Sequence, residues 1–150
     1  MQSLQNHFLI AMPSMADPIF SRTVTLICEH NAQGAMGIVI NRATPYCAKD
    51  LLEQAEKSSN HFADAVLHAG GPVQVERGFI LHSNDGDWQQ SLAVSAQRAL
   101  TSSTDILVAL GKGQGPKSYF IALGYAGWGA GQLEQELAEN AWLHGPANAD

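Results

Sequence analysis

The sequence predicts an α+β domain. Segments of β-branched and apolar residues outnumber segments with helical periodicity, and the helical segments fall among them with no regular βαβ period and no internal repeat. The size fits as well: 150 residues, 45% hydrophobic and 15% charged, suffice for one domain around a single core.

Asn6 to Met12 reads as a short buried strand stopped by Pro13, and Asp17-Pro18 marks a turn in the loop that follows. In RTVTLICE, Arg22 to Glu29, residues alternate, placing Val24, Leu26 and Cys28 on one face and Thr23, Thr25, Ile27 and Glu29 on the other. NAQGAMG supplies Asn and Gly where a connection needs positive φ, and GIVINR is apolar again. Arg22 to Arg42 is therefore a β-hairpin with a loop longer than two residues.

Thr44-Pro45 opens a short helix running through Lys49 to Glu56, and KSSNHFAD is a polar connection. AVLHAGGPV, ERGFILH and SLAVS are further strands, separated by Gly-Gly-Pro and by the turn-rich SNDGD. Ser102 and Asp105 have the spacing of a capping box for a helix carrying Ile106, Leu107 and Leu110 and ended by Gly111. After the loop GKGQGPK comes the strand SYFIALGY. A glycine turn, AGWGAG, then leads into the helix QLEQELAENAWL, with Leu133 and Leu137 on its apolar face and Glu134, Glu136 and Glu139 toward water.

Composition narrows the function. Fourteen acidic against 8 basic residues give a net charge of -6 and a pI near 5.4, which disfavours direct, charge-driven binding to nucleic acid or to an anionic membrane. The amino terminus has no basic region, and its longest apolar run, Phe8 to Pro13, is too short for a signal-peptide core or a membrane span, so a cytoplasmic location is expected. The 2 cysteines lack CxxC spacing and are expected as free thiols, and the 6 histidines show no metal-ligand pattern. No metal and no cofactor are expected.

The stretch Cys28-Glu29-His30 places a thiol, a carboxylate and an imidazole side by side. On a strand, Cys28 and His30 share a face at a Cα separation of about 6.5–7 Å while Glu29 points away, so adjacency in sequence does not make a triad. The leading reading is a buried cysteine beside a turn-capping His30-Asn31 pair. The alternatives are a catalytic cysteine, and a ligand pocket or redox-sensitive thiol in which His30 turns toward ligand, Asp17 or Arg22.

In GYAGWGAGQLEQEL, Gly124 to Leu137, the order strand, glycine turn, helix start is a context in which backbone N–H groups hold an anion. The specific fingerprints fail: Ala130 stands where a phosphate-binding loop needs Lys, and Gln132 where the dinucleotide motif needs its third glycine. Tight backbone packing around Trp128 is the leading alternative. Gly70-Gly71 with Arg77 nearby reads as a carboxylate or phosphate site, or as an Arg77–Glu76 pair. No catalytic residue is assigned. The candidate ligand pocket comprises Asp17, Arg22, Cys28, His30, Asn31, Gly70, Gly71, Arg77, Gly127, Trp128 and Gln132.

Taken together, FLIAMPSMADPIFSRTVTLICEHNAQGAMGIVINR, GGPVQVERGFILH and ALGYAGWGAGQLEQELAENAWL closely resemble the bacterial YqgE/AlgH family, over nearly the whole chain. Its motif positions here include Pro13, Asp17, Pro18, Phe20 and Arg22, then Cys28 to Asn31, Gly70 to Pro72, Arg77 and His82. Late in the chain they include Gly124, Trp128, Gln132, Glu134, Glu136 and Trp142. The resemblance implies a mixed, bifurcated β-sheet forming a barrel-like core with several short helices, in a single domain of residues 1–150. It also implies a further carboxy-terminal segment, with a Trp-Arg pair and a helix, that is not found after AWLHGPANAD. No agreed active site comes with the family, one branch of which is linked to alginate regulation and labelled transcriptional regulator. The expected function is a non-enzymatic, ligand-responsive regulatory protein whose partner is a small anionic ligand or another protein. The alternative is a small anion-binding protein or enzyme using Arg77, His30 and the Gly127–Gly131 backbone.

Overall fold

The computed structural model describes residues 3–13, 20–47, 65–83, 88, 91–102, 106, 109–110, 116 and 118–147. Its elements are β1 (His7–Ala11), β2 (Val24–Asn31), β3 (Gly34–Val39), β4 (Ala43–Cys47), β5 (Val66–Ala69), β6 (Val73–Ser83), β7 (Ser91–Ala93), β8 (Arg98–Thr101), β9 (Tyr119–Gly129), α1 (Gln132–Ala138) and β10 (Trp142–Pro146). The protein is predominantly β: a 10-stranded sheet in the order β10-β1-β2-β3-β9-β6-β8-β7, curled into a half-barrel, with β4 and β5 branching from it. The fork lies along β9, which pairs with β5 in parallel at Ile121–Leu123 and with β3 antiparallel at Ala126–Gly129.

Three buried clusters fill the two sides of this curled sheet. Leu26, Cys28, Ile38, Phe79, Leu100 and Ala122 pack together on one side of the β2–β3 hairpin. Leu9, Ile27, Ala126, Trp128, Leu133 and Trp142 pack on the other side, where α1 lies. Leu67, Ile80 and Ile121 from β5, β6 and β9 gather around Ile106 and Leu110. Full burial of a Leu, Ile or Phe contributes roughly 1.5–3 kcal/mol, so these clusters outweigh local propensity wherever the two disagree.

The hairpin of β2 and β3 forms, but Asn31 pairs with Gly34, so its loop is the two residues Ala32 and Gln33 and not the longer one expected; Ile106, Ala109 and Leu110 are helical. The described residues contain one complete helix, α1, and do not confirm several short ones. Thr44 to Cys47, expected to open a helix, instead lies in β4, which among the described residues pairs with β5 alone. The Thr44 hydroxyl donates to the Leu67 carbonyl at 2.8 Å, and Pro45, which has no N–H to lose, suits an edge strand. Residues 48–56, the body of that expected helix, lie outside the described set, as does Asp105 of the expected cap.

The carboxy-terminal third departs further. AGWG is no turn but the end of β9, because Gly34 and Gly37 lie opposite and let the strands approach closely. A Cβ on Gly34 would sit 2.3 Å from the Trp128 carbonyl oxygen. The helix stops at Ala138, and Asn140 turns the chain at φ 61°, so Trp142 sits on β10 rather than on the helix. Among the described residues, no helix is long and apolar enough to cross a membrane.

Candidate functional site

Two bulges shape a cleft beside the β2–β3 hairpin. On β2, Ile27 pairs with Gly37 but Glu29 with Met36, so Cys28 is an extra residue. On β6, Val73 pairs with Tyr125 and Gly78 with Leu123, so five steps on β6 oppose two on β9 and Gln74 to Arg77 loop out of the ladder. Gln74 accepts the left-handed region at φ 52°, a conformation that costs a side-chain-bearing residue of order 1 kcal/mol. The second bulge frees Arg77 from the β6 ladder, leaving it exposed on the cleft wall.

The cleft has a volume of about 670 Å³ and is lined by Glu29, Asn31, Gln33, Gln74, Arg77, Phe79, Tyr125 and Trp128, with the Gly127 backbone among them. Arg77 is oriented on its wall. One guanidinium nitrogen donates to Gln74 Oε1 at 3.2 Å and another to Ser102 Oγ at 2.9 Å, while the Phe79 ring lies 5.5 Å from its central carbon. A planar fork held in this way is oriented before any ligand arrives, which lowers the entropy cost of binding.

Cys28 and His30 do not join it. The bulge at Cys28 breaks the alternation that would put them on one face: Cys28 packs with Leu26 and Ile38, while His30 points to the α1 side. Burial pushes the Cys28 thiol up to about 12, partly opposed by the Arg98 charge and reinforced by Glu29, so the thiolate is scarce at neutral pH. Cys28 and Cys47 are both free thiols.

His30, 5% exposed, is held at both nitrogens. Nδ1 accepts the Leu4 N–H at 2.9 Å, which places the ring proton on Nε2, 3.1 Å from Glu134 Oε2. Its carbonyl also accepts the Ser3 hydroxyl at 3.1 Å. His30 thus staples the amino-terminal segment, β2 and α1 together. The carboxyl of Glu134 is held below the usual glutamate value, first by its own backbone N–H in the first helical turn and then by His30.

Gly70 and Gly71 pack on β9 rather than opening toward ligand. A Cβ on Gly71, at φ 153°, would lie 2.1 Å from the Tyr125 carbonyl carbon, and one on Gly70 would lie 2.5 Å from the Gly124 carbonyl oxygen. Arg22 is exposed at φ 61°, away from the cleft lining, and Asn41 Nδ2 donates to its carbonyl at 3.0 Å. Asn31 is on the cleft rim, where its side-chain oxygen accepts the Gln33 N–H at 2.8 Å. Asp17 lies outside the described residues.

The start of α1 offers little to an anion. The helix has 7 residues and carries Glu134 in its first turn, and the Gly129 N–H already donates to Gln132 Oε1 at 2.9 Å. Behind it, Trp128 and Trp142 donate their indole N–H groups to one oxygen, Glu136 Oε1, at 3.0 and 2.9 Å. Glu134 and Glu136, expected to face water, both turn toward the sheet. Among the described residues no group of three or more His, Cys, Asp or Glu could hold a metal.

A family profile described as AlgH-like matches residues 8–150. The chain belongs to the AlgH-like family. A UPF0301 protein of Thioalkalivibrio sulfidiphilus is 55% identical over 146 residues, covering 97% of this chain and 78% of the relative. Another, of Hahella chejuensis, is 51% identical over 149 residues, covering 99% of this chain and 80% of the relative. The solution structure of the AlgH protein from Pseudomonas aeruginosa superposes with a TM-score of 0.86 at 47% identity, covering 99% of this chain and 82% of that one. A Corynebacterium diphtheriae protein, 20% identical with a TM-score of 0.76, shares the fold.

Of the candidates read from sequence, this AlgH-like chain brings Asn31, Arg77, Gly127 and Trp128 to one cleft, with Gln132 behind Trp128. Sequence reasoning missed Gln33, Gln74, Phe79 and Tyr125 on its walls. The spacing of Gln74 and Arg77 carried no signal on a segment read as regular strand, because the bulge that lets them meet depends on β9. Glu136 was visible only as one more helix-surface acid.

Proposed function

We propose that this AlgH-like chain is a non-enzymatic, ligand-responsive regulatory protein. It binds a small anion, a carboxylate or phosphate, in the cleft between the β2–β3 hairpin and the bulge of β6. One observation carries the reading: Arg77 is lifted out of the sheet by a bulge and pre-oriented by Gln74, Ser102 and Phe79 on the wall of a cleft of about 670 Å³. The aromatic rings of Phe79 and Tyr125 and the amides of Asn31 and Gln33 supply apolar area and orienting polar groups beside that charge. A thiol-enzyme reading has less support, since Cys28 is buried and protonated and both His30 nitrogens are engaged in the scaffold. The net charge of -6 favours an effect on expression that does not pass through direct contact with DNA, exerted in the cytoplasm.

A thermal-shift panel of inorganic phosphate, nucleotides, phosphorylated metabolites and carboxylates, run on the wild type and on Arg77→Ala, tests it. A ligand at about 100 times its Kd adds roughly 2.7 kcal/mol, a shift of several degrees for a chain of this size. The expected outcome is a shift with one anion class that is lost in Arg77→Ala. A flat panel, or a shift that survives the substitution, defeats the proposal, and tight, salt-sensitive, sequence-specific binding to promoter DNA defeats its indirect part.

A further inference from the structure

A second cavity, of about 180 Å³, lies on the α1 side of Trp128, walled by Phe20, Trp128 and Trp142 and closed by Gln132, Glu136 and Ala141. The aromatic walls brace one another. The Phe20 ring is inclined 27° to Trp128 at 6.2 Å between centroids, and Trp142 stands edge-on to both, at 5.6 Å from Phe20 and 6.1 Å from Trp128. With both indole N–H groups on Glu136 Oε1, the orientation of the rings is set by the carboxylate.

The surroundings of Glu136 are the unusual part. Its carboxylate accepts from two indoles and from the Gln132 amide, which donates to Oε2 at 2.9 Å, and all three donors are neutral. No cationic side chain lies within ion-pair distance of it among the described residues, where the ion pair formed is His30–Glu134. If the task were only to accept two indole hydrogens, an uncharged amide oxygen would serve at lower desolvation cost. A half-buried, unneutralised carboxylate beside three aromatic rings is instead the arrangement that attracts a cation: the ring quadrupoles favour positive charge, and ring and carboxylate act on the same group.

We infer that this cavity binds a small-molecule alkylammonium group, quaternary or highly methylated, with Phe20, Trp128 and Trp142 as its aromatic walls and Glu136 as its counter-charge. The site is separate from the Arg77 cleft, with Trp128 and Gly127 as their common wall. It stands whether or not an anion binds at Arg77.

The test is a titration of the full chain with tetramethylammonium chloride, followed by the indole N–H resonances of Trp128 and Trp142. Trp88, outside the cavity, serves as internal control. Sodium chloride at matched concentration controls for ionic strength, and tert-butanol, similar in shape and uncharged, controls for simple filling of an apolar hole. The expected result is a saturable shift of both resonances with tetramethylammonium only, weakened at least tenfold in Glu136→Gln and in Phe20→Leu. An equal response to tert-butanol overturns the proposal, as does the absence of a saturable shift in the wild type. The comparison of the two probes on the wild type decides the matter even if either variant fails to fold.

Discussion

The Gly129 end of β9 and its middle, at Gly124 and Tyr125, are secured by different means. At its Gly129 end, besides the close approach of Gly34 to the Trp128 main chain, a network of side chains holds the chain: Gln132 holds the Gly129 N–H, Glu136 holds both indoles, and His30 ties Leu4 to Glu134. At the middle of the strand the contact is backbone against backbone alone, Gly70 and Gly71 lying on Gly124 and Tyr125 with no room for a Cβ. A side-chain network can be weakened one hydrogen bond at a time, whereas a glycine contact fails as a unit because the obstruction is main chain. The side-chain network at the α1 end should therefore tolerate substitution better than the glycine contacts at the middle of β9.

The sharpest way to break that comparison is Gly71→Ala. Its Cβ would fall 2.1 Å from the Tyr125 carbonyl carbon at a φ of 153°, so the expected loss is about 4 kcal/mol or more, in the exceptional range for one substitution. Gly131→Ala, at φ 75° with nothing within 4 Å of the added Cβ, should cost only about 1 kcal/mol. Urea unfolding of the two variants measures the contrast, and equal losses would show that conformation and not contact dominates at Gly71.

Next in size is the reactivity of Cys28, in the buried cluster beside the β2–β3 hairpin. With its thiol pushed up to about 12, native Cys28 should alkylate on the order of a thousandfold more slowly than an unperturbed cysteine near pH 8, and at an ordinary rate in urea. Mass-spectrometric mapping of iodoacetamide adducts, with Cys47 as partly exposed reference, reads this directly. Rapid native labelling at Cys28 would mean that the β2 bulge opens in solution.

His30→Ala should cost about 2 kcal/mol by chemical denaturation, since it leaves the buried Leu4 N–H without its acceptor. His30→Gln should recover part of that loss, which separates a hydrogen-bonding role from mere volume.

The smallest effect is on acid stability. Because the fold lowers the pKa of Glu134 below its ordinary 4.5, the fold favours the ionised form. The contribution of Glu134 is fully present above that ordinary value and is lost as pH falls through the lowered folded value. Denaturation midpoints of wild type and Glu134→Gln should accordingly differ at pH 6, with the gap closing as pH falls below 4.5. A constant gap across that range would mean that His30 and Glu134 do not pair in solution.

Much of the β-structure was legible in the sequence because it rests on local pattern. Alternation in RTVTLICE, turn residues in NAQGAMG and β-branched GIVINR specify the β2–β3 hairpin with short-range information alone. Where the reading failed, the deciding partner was remote in sequence. Thr44 to Cys47 had a helix-start signal but found β5 to pair with, and AGWG looked like a turn until Gly34 and Gly37 lay opposite it.

By itself the sequence determined the α+β class, the core-facing residues of the central hairpin, the free thiols and the acidic surface, since each depends on composition or on neighbours along the chain. The tertiary structure alone decided that Cys28 and His30 part company, that Arg77 stands clear of its ladder and that Glu136 gathers two indoles. A bulge is a mismatch in length between two strands, and a shared acceptor needs groups from β9, α1 and β10 at once. Neither property belongs to any single segment, so it comes into being only when the segments are packed together.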